Sequence, residues 1–280
     1  MKAVFEIAPK NIDDIVSKQY TLSIGLRPDG FCFTIYSPFE HSVLGMWHYG
    51  VAGAEDLETI WKSDEFLRLP FAKTFVMVEE QRWTLLPDGF VSSQSADDVW
   101  RLTFGADPDV SMPVQTCTIS GTDIQCLYEC PKTWMQMVET CCPDAELMCD
   151  VAVLLPRVFK QSLCTMRPVM FCHLMNKTMD LFVAEHGRLL MANQFAMENN
   201  NDFLYYTLNA YRSFSLDQNT DNLFLTGRVT DHDERIKSVE RYIHNVLLEN
   251  IVEDLPSENI LTKLENKYDY FNLINLSLCE

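Results

Sequence analysis

The sequence predicts an α/β protein built from two tandem subdomains, each with a mixed sheet and packed helices. Three observations predict it. The order strand–strand–strand–helix–strand–helix occurs twice along the 280 residues. Corresponding elements start near 22 and 169, 55 and 201, and 74 and 222, so all three offsets lie between 146 and 148. Hydrophobic residues make up 47% of the chain, enough for a full core in each half. A three-stranded meander followed by a helix crossing to a parallel strand gives a mixed sheet with helices on it. Side by side, two such units describe a duplicated ribonuclease-H-like architecture. The expected divisions are an N-terminal segment at 1–18, a first subdomain at 19–150 and a second at 151–280.

Residues 1–18 read as a flexible or edge segment. "YTLSIGLRPDGFCFTIYSP" is a hairpin, with Pro28-Asp29-Gly30 supplying the turn. "VLGMWHYG" is a third strand. In "GAEDLETIWKSDEFLRLP", Leu57, Ile60 and Trp61 recur at helical spacing, and Pro70 marks the stop. "KTFVMVEE" is a strand and "RWTLLPDG" a second, short one. "SADDVWRLTFG" is a brief helix, with Ser95 as its N-cap and Gly105 past its end. "DIQCLYEC" is a strand. Pro131 opens a helix with Trp134, Val138 and Cys141 on one face.

In the second half, strands are expected at about 168–175, 178–185 and 188–195. A helix from about 201 to 213 lines up Leu204, Leu208 and Tyr211, with Asn or Asp at its start. "DNLFLTGRV" is a strand. Asp231 and Glu234 form a capping-box pattern at the head of a helix carrying Ile236, Val239, Ile243 and Val246 as an apolar stripe. "NIVEDLP" is the expected last strand.

Charge excludes some functions. Against 22 Lys and Arg stand 40 Asp and Glu, a net charge of −18. Such a surface repels phosphate backbones and anionic membranes, so nucleic acid is not an expected partner. No apolar run approaches the ~18 residues of a membrane span. The N-terminal "MKAVFEIAPKN" lacks the apolar region of a signal peptide, so a cytoplasmic location is expected. Most of the ten cysteines fall inside apolar runs and read as small buried hydrophobes rather than disulfide partners.

"LSIGLRPDGFCFTIY" (22–36), "WTLLPDGF" (83–90), "GRLLMANQFAMENNNDFLYYTLNAY" (187–211) and "LFLTGRV" (223–229) resemble an uncharacterised bacterial family, a domain of unknown function with the actin-like ATPase fold. The segment from Gly187 to Tyr211 is the most specific. Pilus-assembly and secretion scaffold proteins share the wider fold, so the resemblance implies a partner-binding role. It also implies two hairpin turns that grip phosphate, each with an Asp-x-Gly pattern: the Asp for a metal or its water, the Gly for close approach of backbone N–H groups.

That pattern is not intact. In "LRPDGF", Asp29 and Gly30 are adjacent and the loop is short. In "CHLMNKTMD", the stretch His173–Thr178 has neither glycine nor carboxylate, although Lys177 and Thr178 could touch a phosphate. Thr226-Gly227 resembles the adenosine loop, with Arg228 where a second glycine is usual. Ten glycines in 280 residues are about half the average ~7%.

Other chemistry finds little support. No GK[ST], GxSxG, HExxH or CxxC motif occurs. Cys126, Cys130, Cys141 and Cys142 do not match a common zinc spacing. His41, His48, His173, His186, His232 and His244 are scattered, and His48 and His173 sit in apolar strands. "DHDERIK" reads as a helix start. Of Tyr205 and Tyr206, one must point away from the other and would anchor an interface. The expected function is thus a non-catalytic protein-binding scaffold without cofactor, metal or catalytic residue. The alternative is an ATP-binding protein using Lys177, Thr178, Thr226 and Gly227, and an enzyme built on Cys and His ranks third.

Overall fold

In the turn between Arg27 and Gly30, Pro28 presets the backbone and Gly30 lets the returning strand run close against a neighbour, where a side chain would not fit. The computed structural model describes residues 3–9, 12–50, 54–90, 96–249, 255–256, 260–264 and 266–278. The chain forms two compact units. The first holds residues 1–153, 251–264 and 273–280, and the second 154–250 and 265–272.

In the first unit, β1 (Phe5–Ile7), β2 (Thr21–Arg27), β3 (Gly30–Ser37), β4 (Ser42–Tyr49), β5 (Lys73–Val78) and β9 (Glu146–Cys149) form a six-stranded sheet in the order β1-β4-β3-β2-β5-β9. The β2–β3–β4 meander is antiparallel, and β5 and β9 continue it in parallel with β2. Every residue of β2 and β3 is buried, as near-continuous apolar runs in central strands require. Helices α1 (Ala54–Ser63) and α3 (Lys132–Cys141) pack with Leu57, Ile60, Trp61, Met137 and Val138 in a core with Leu22, Ile24 and Trp47. A separate antiparallel sheet, β6 (Trp83–Pro87), β8 (Ile124–Glu129) and β7 (Val114–Thr118), carries α2 (Ala96–Phe104), whose fully buried Trp100 packs on Leu127.

In the second unit, β10 (Val169–Leu174), β11 (Thr178–Glu185), β12 (Arg188–Ala196), β13 (Asn222–Gly227) and β14 (Asn245–Leu248) form a sheet in the order β12-β11-β10-β13-β14. Helix α5 (Asn200–Ser213) lies before β13 and α6 (Glu234–Val239) before β14. A capping box starts α5: the Asn199 side chain accepts the Asn201 N–H at 2.9 Å, and Asp202 accepts the Asn199 N–H at 3.0 Å. Two helices pass from one unit to the other, α4 (Asp150–Leu163) and α7 (Phe271–Ser277). Within the first unit, Ser277 Oγ lies 2.9 Å from Thr34 Oγ1, and Asn275 Nδ2 donates to the Val153 carbonyl at 2.6 Å.

The two meanders share more than strand order. In β3–β4 the register shifts between Ile35 and Tyr36; in β11–β12 it shifts between Val183 and Ala184, 148 residues on. Leu44 and Leu190 are the residues passed over. A bulge at the same place in both meanders is a detailed mark of duplicated structure.

Several elements differ from expectation. Helix α1 ends at Ser63, well before Pro70, because Asp64 Oδ1 accepts the Phe66 and Leu67 N–H groups at 2.8 and 3.2 Å and turns the chain. The N-cap of α6 is Asp233, not Asp231; Asp233 Oδ1 accepts the Arg235 N–H at 2.8 Å, while Asp231 accepts the Tyr268 hydroxyl at 2.8 Å. The expected stripe breaks as well. Ile236 and Val239 are helical, Ile243 lies in the following turn and Val246 in β14, yet all four reach one core. Strands β7 and β9 and helix α4 are additions: β7 is short and half-exposed, β9 has four residues, and Pro156 inside α4 reads as a helix breaker. Ser95 and most of "NIVEDLP" lie outside the described residues. No helix among the described residues is long and apolar enough to cross a membrane.

Leu181 is fully buried in the second core, whereas Leu190 at the bulge is 42% exposed. Leu181→Ala should lower the unfolding free energy by about 3 kcal/mol in urea titrations, and Leu190→Ala by no more than about 0.5 kcal/mol. At Asp233, burial works to raise the carboxyl, and the hydrogen bonds and charge of Arg235 outweigh it, holding the group below the usual range. The cap therefore stabilises above the unfolded carboxyl's range and is lost as pH falls. Asp233→Ala should cost about 1 kcal/mol at pH 7, a difference that closes when the titrations are repeated below about pH 4.

Candidate functional site

Open sheets with parallel strands hold ligands beyond the carboxyl ends of those strands. In the first unit these ends belong to β2, β5 and β9. Each apolar run closes on a charged residue there. Arg27 ends β2, and its Nε lies 3.1 Å from Glu79 Oε2, with both side chains under 10% exposed. Asp150 follows β9 and accepts the Glu80 N–H at 3.1 Å and the Val151 N–H at 2.9 Å. Gln81 Nε2 donates to the Glu79 carbonyl at 2.9 Å. The turn that would grip phosphate is the two-residue link Pro28–Asp29. A Cβ on Gly30 would lie 2.2 Å from the Tyr49 carbonyl oxygen, so this glycine serves the approach of β3 to the end of β4.

In the second unit the ends belong to β10, β13 and β14. The β10–β11 turn is Met175–Lys177, closed by the Met175 N–H donating to the Thr178 carbonyl at 3.0 Å. The Lys177 side chain is exposed, and its carbonyl accepts the Met197 N–H at 2.7 Å. Thr178 is half-buried, with Oγ1 3.8 Å from Met175 Sδ. Thr226 and Gly227 end β13, in register with His173 and Leu174 of β10. Gly227 has φ +87°, and a Cβ there would lie 2.2 Å from the Leu174 carbonyl oxygen and 3.0 Å from the His173 ring. The next N–H, that of Arg228, donates to the same Leu174 oxygen at 2.7 Å. Lys177 and Thr178 thus sit at the turn, and Thr226 and Gly227 on the neighbouring strand end.

Below this edge is a buried polar cluster. Asn272 Nδ2 lies 3.3 Å from His173 Nε2, and Asp180, opposite His173 in β11, accepts from Gln194 Nε2 at 3.1 Å. Thr226 Oγ1 and Asn272 Oδ1 are buried with no hydrogen-bond partner among the described residues. After β14, Glu249 accepts from Arg157 Nε at 2.5 Å and Gln161 Nε2 at 3.0 Å. Sequence reasoning missed Arg27, Glu79, Asp150 and Glu249. A signal existed: "FVMVE", "ELMCD" and "NVLLE" each run from apolar strand into an acid.

No disulfide joins the described cysteines. Cys141 and Cys142 pack on the core shared by α1 and α3, apart from Cys126. Instead, Cys126 meets Cys117 and Cys149. His173 is buried, whereas His41, His186, His232 and His244 are exposed on the surface. Tyr206 stacks on Phe195 at 4.3 Å, and Tyr205 is 65% exposed. A cavity of about 370 Å³ opens beside Lys73, Thr74, Asp144 and Glu146, at the amino ends of β5 and β9 rather than the carboxyl ends.

Known structures share this fold. A Bacteroides thetaiotaomicron protein with actin-like ATPase fold and unknown function superposes with a TM-score of 0.80 at 21% identity, covering 97% of this chain and 100% of that one. A chain of the PilM–PilN type IV pilus biogenesis complex superposes at 0.58 with 10% identity, covering 92% and 97%. The protein therefore has the actin-like ATPase fold. Residues 9–246 match the family model described as protein of unknown function (DUF3822), and the chain belongs to that family. No curated protein matches it.

Gly227→Ala would place a methyl group against the Leu174 carbonyl and impose a left-handed backbone on a non-glycine residue. It should destabilise the protein by at least ~2 kcal/mol, read as a lowered urea midpoint with no ligand present.

Proposed function

We propose that the protein is a cytoplasmic, non-catalytic scaffold of the actin-like fold that binds another protein and whose nucleotide site is degenerate. The observation that carries this reading is the use of glycine at the strand ends. Gly30 and Gly227 each face a carbonyl oxygen of their own unit at a distance that leaves no room for a Cβ. The Arg228 N–H, which follows the adenosine-loop position, is committed to Leu174. In the first unit Arg27 and Glu79 neutralise each other, and Asp150 is held by backbone N–H groups. The likeness to a chain of the PilM–PilN complex supports a role in protein assembly. Tyr205 offers the partner an exposed aromatic anchor, and the −18 charge favours a basic partner surface.

One observation favours ATP binding as a second reading. Thr226 Oγ1 and Asn272 Oδ1 are buried polar atoms with no partner among the described residues, and such atoms ordinarily find one. On that reading Thr226 and Gly227 meet the nucleoside while Lys177 and Thr178 meet phosphate.

Thermal denaturation with increasing Mg-ATP separates the two. The scaffold reading expects an unchanged melting temperature up to millimolar nucleotide. A ligand at a hundred times its Kd would add about 2.7 kcal/mol. A saturable rise that disappears in Lys177→Ala would replace the scaffold with a nucleotide binder.

A further inference from the structure

Three strands of the first unit bring three thiols to one point. Cys117 lies in β7, Cys126 in β8 and Cys149 in β9. Cys117 and Cys126 are directly opposite in the antiparallel pair, so their side chains share a face. Cys149 Sγ is 3.2 Å from Cys126 Sγ and 3.9 Å from Cys117 Sγ, and all three sulfurs lie within 4.8 Å of one another. An ion bound by three thiolates at about 2.3 Å in a trigonal plane sets the sulfurs about 4 Å apart. The Cys117–Cys149 side matches that triangle, and the Cys126–Cys149 side would open by about 0.8 Å to admit the ion.

Ligand number argues for the kind of ion. Structural zinc takes four protein ligands. Among the described residues no histidine, carboxylate or fourth cysteine joins the group. Soft thiolate sets select Cu⁺, Zn²⁺ and iron–sulfur clusters, and of these Cu⁺ is the one that accepts a shell of three sulfurs alone. The site is closed on its inner side, where Cys126 is fully buried and Cys149 nearly so, while Cys117 is half-buried. We propose that Cys117, Cys126 and Cys149 form a three-thiolate site for a single Cu⁺ ion, which ties the β6-β8-β7 sheet to the edge strand β9 of the six-stranded sheet.

Each thiol releases its proton to solvent as its sulfur binds the ion, with no change of oxidation state, so affinity rises with pH.

The test uses the full chain, reduced and anaerobic, titrated with Cu⁺ delivered as its acetonitrile complex against the chelator bicinchoninate. One equivalent should be withheld from the chelator, and excess Zn²⁺ should not displace it. Cys117→Ser should weaken retention at least about tenfold, since even outer-shell changes cost 10–100-fold, and Cys164→Ser, at an exposed cysteine, should leave it unchanged. X-ray absorption at the copper edge of the unsubstituted protein, which needs no variant to fold, should give three sulfur neighbours. Failure to withhold copper, equal retention in Cys117→Ser, displacement by Zn²⁺, or a two-sulfur shell would each overturn the assignment.

Discussion

The rest of the structure depends on one parallel pairing, made twice. In each unit the first strand of a meander lies beside the strand that returns from a helix. The pairing is closed by an N–H one residue past the returning strand: Glu79 to the Leu26 carbonyl at 2.9 Å, and Arg228 to the Leu174 carbonyl at 2.7 Å. This bond fixes which residues sit at the carboxyl edge, because a slip of one residue would turn every side chain to the other face. With the register set, Gly227 must stand opposite Leu174. The same closure aims the Arg228 N–H into the sheet rather than outward. A loop that gives its amide to a neighbouring strand has one donor fewer for an anion, which is how strand geometry and site chemistry become a single question here.

Equivalent places in the two units carry different chemistry. Glu79 and Arg228 occupy matching positions by that hydrogen bond, yet they bear opposite charges. In the first unit Arg27 reaches Glu79, and the pair is buried. In the second, the residue matching Arg27 is Met175, so no cation stands at that position, and the turn's Lys177 is exposed. Instead the second edge is underlain by the buried His173, Asp180, Thr226 and Asn272, with Asn272 Nδ2 beside His173 Nε2 and Asp180 accepting from Gln194. A buried ion pair is weak support for stability because desolvation offsets its attraction. Its clearer consequence is that removing one member would strand a charge. Backbone architecture has been doubled while the edge groups have not.

Much of this was legible in the sequence, for reasons that show where legibility ends. The meanders announced themselves because central strands buried on both faces read as unbroken apolar runs between turn residues. The repeat was legible because the helices keep one face apolar. Elements failed where local pattern and tertiary partner disagree. Ile236, Val239, Ile243 and Val246 keep helical spacing across a helix, a turn and a strand, since one core draws them all inward. Pro156 sits inside α4 against local preference. Half-exposed β7 owes its form to the edge of β8. The thiol triangle was hidden differently: Cys117, Cys126 and Cys149 are 9 and 23 residues apart, on strands whose pairing no spacing rule encodes.

The same reasoning bears on what glycine scarcity means. The chain has only ten, and two of them, Gly30 and Gly227, stand at the hairpin turn and strand end where the wider fold would face phosphate and nucleoside respectively. A glycine beside a ligand and a glycine beside a carbonyl look alike in sequence, since both positions exclude a Cβ. They differ only in what stands opposite, and here it is Tyr49 in one unit and Leu174 in the other. Motif matching would score Thr226-Gly227 as a remnant of nucleotide recognition. The packing assigns Gly227 a sufficient structural task, and beside it the Thr226 hydroxyl and the Asn272 side-chain carbonyl oxygen are buried with no hydrogen-bond partner among the described residues.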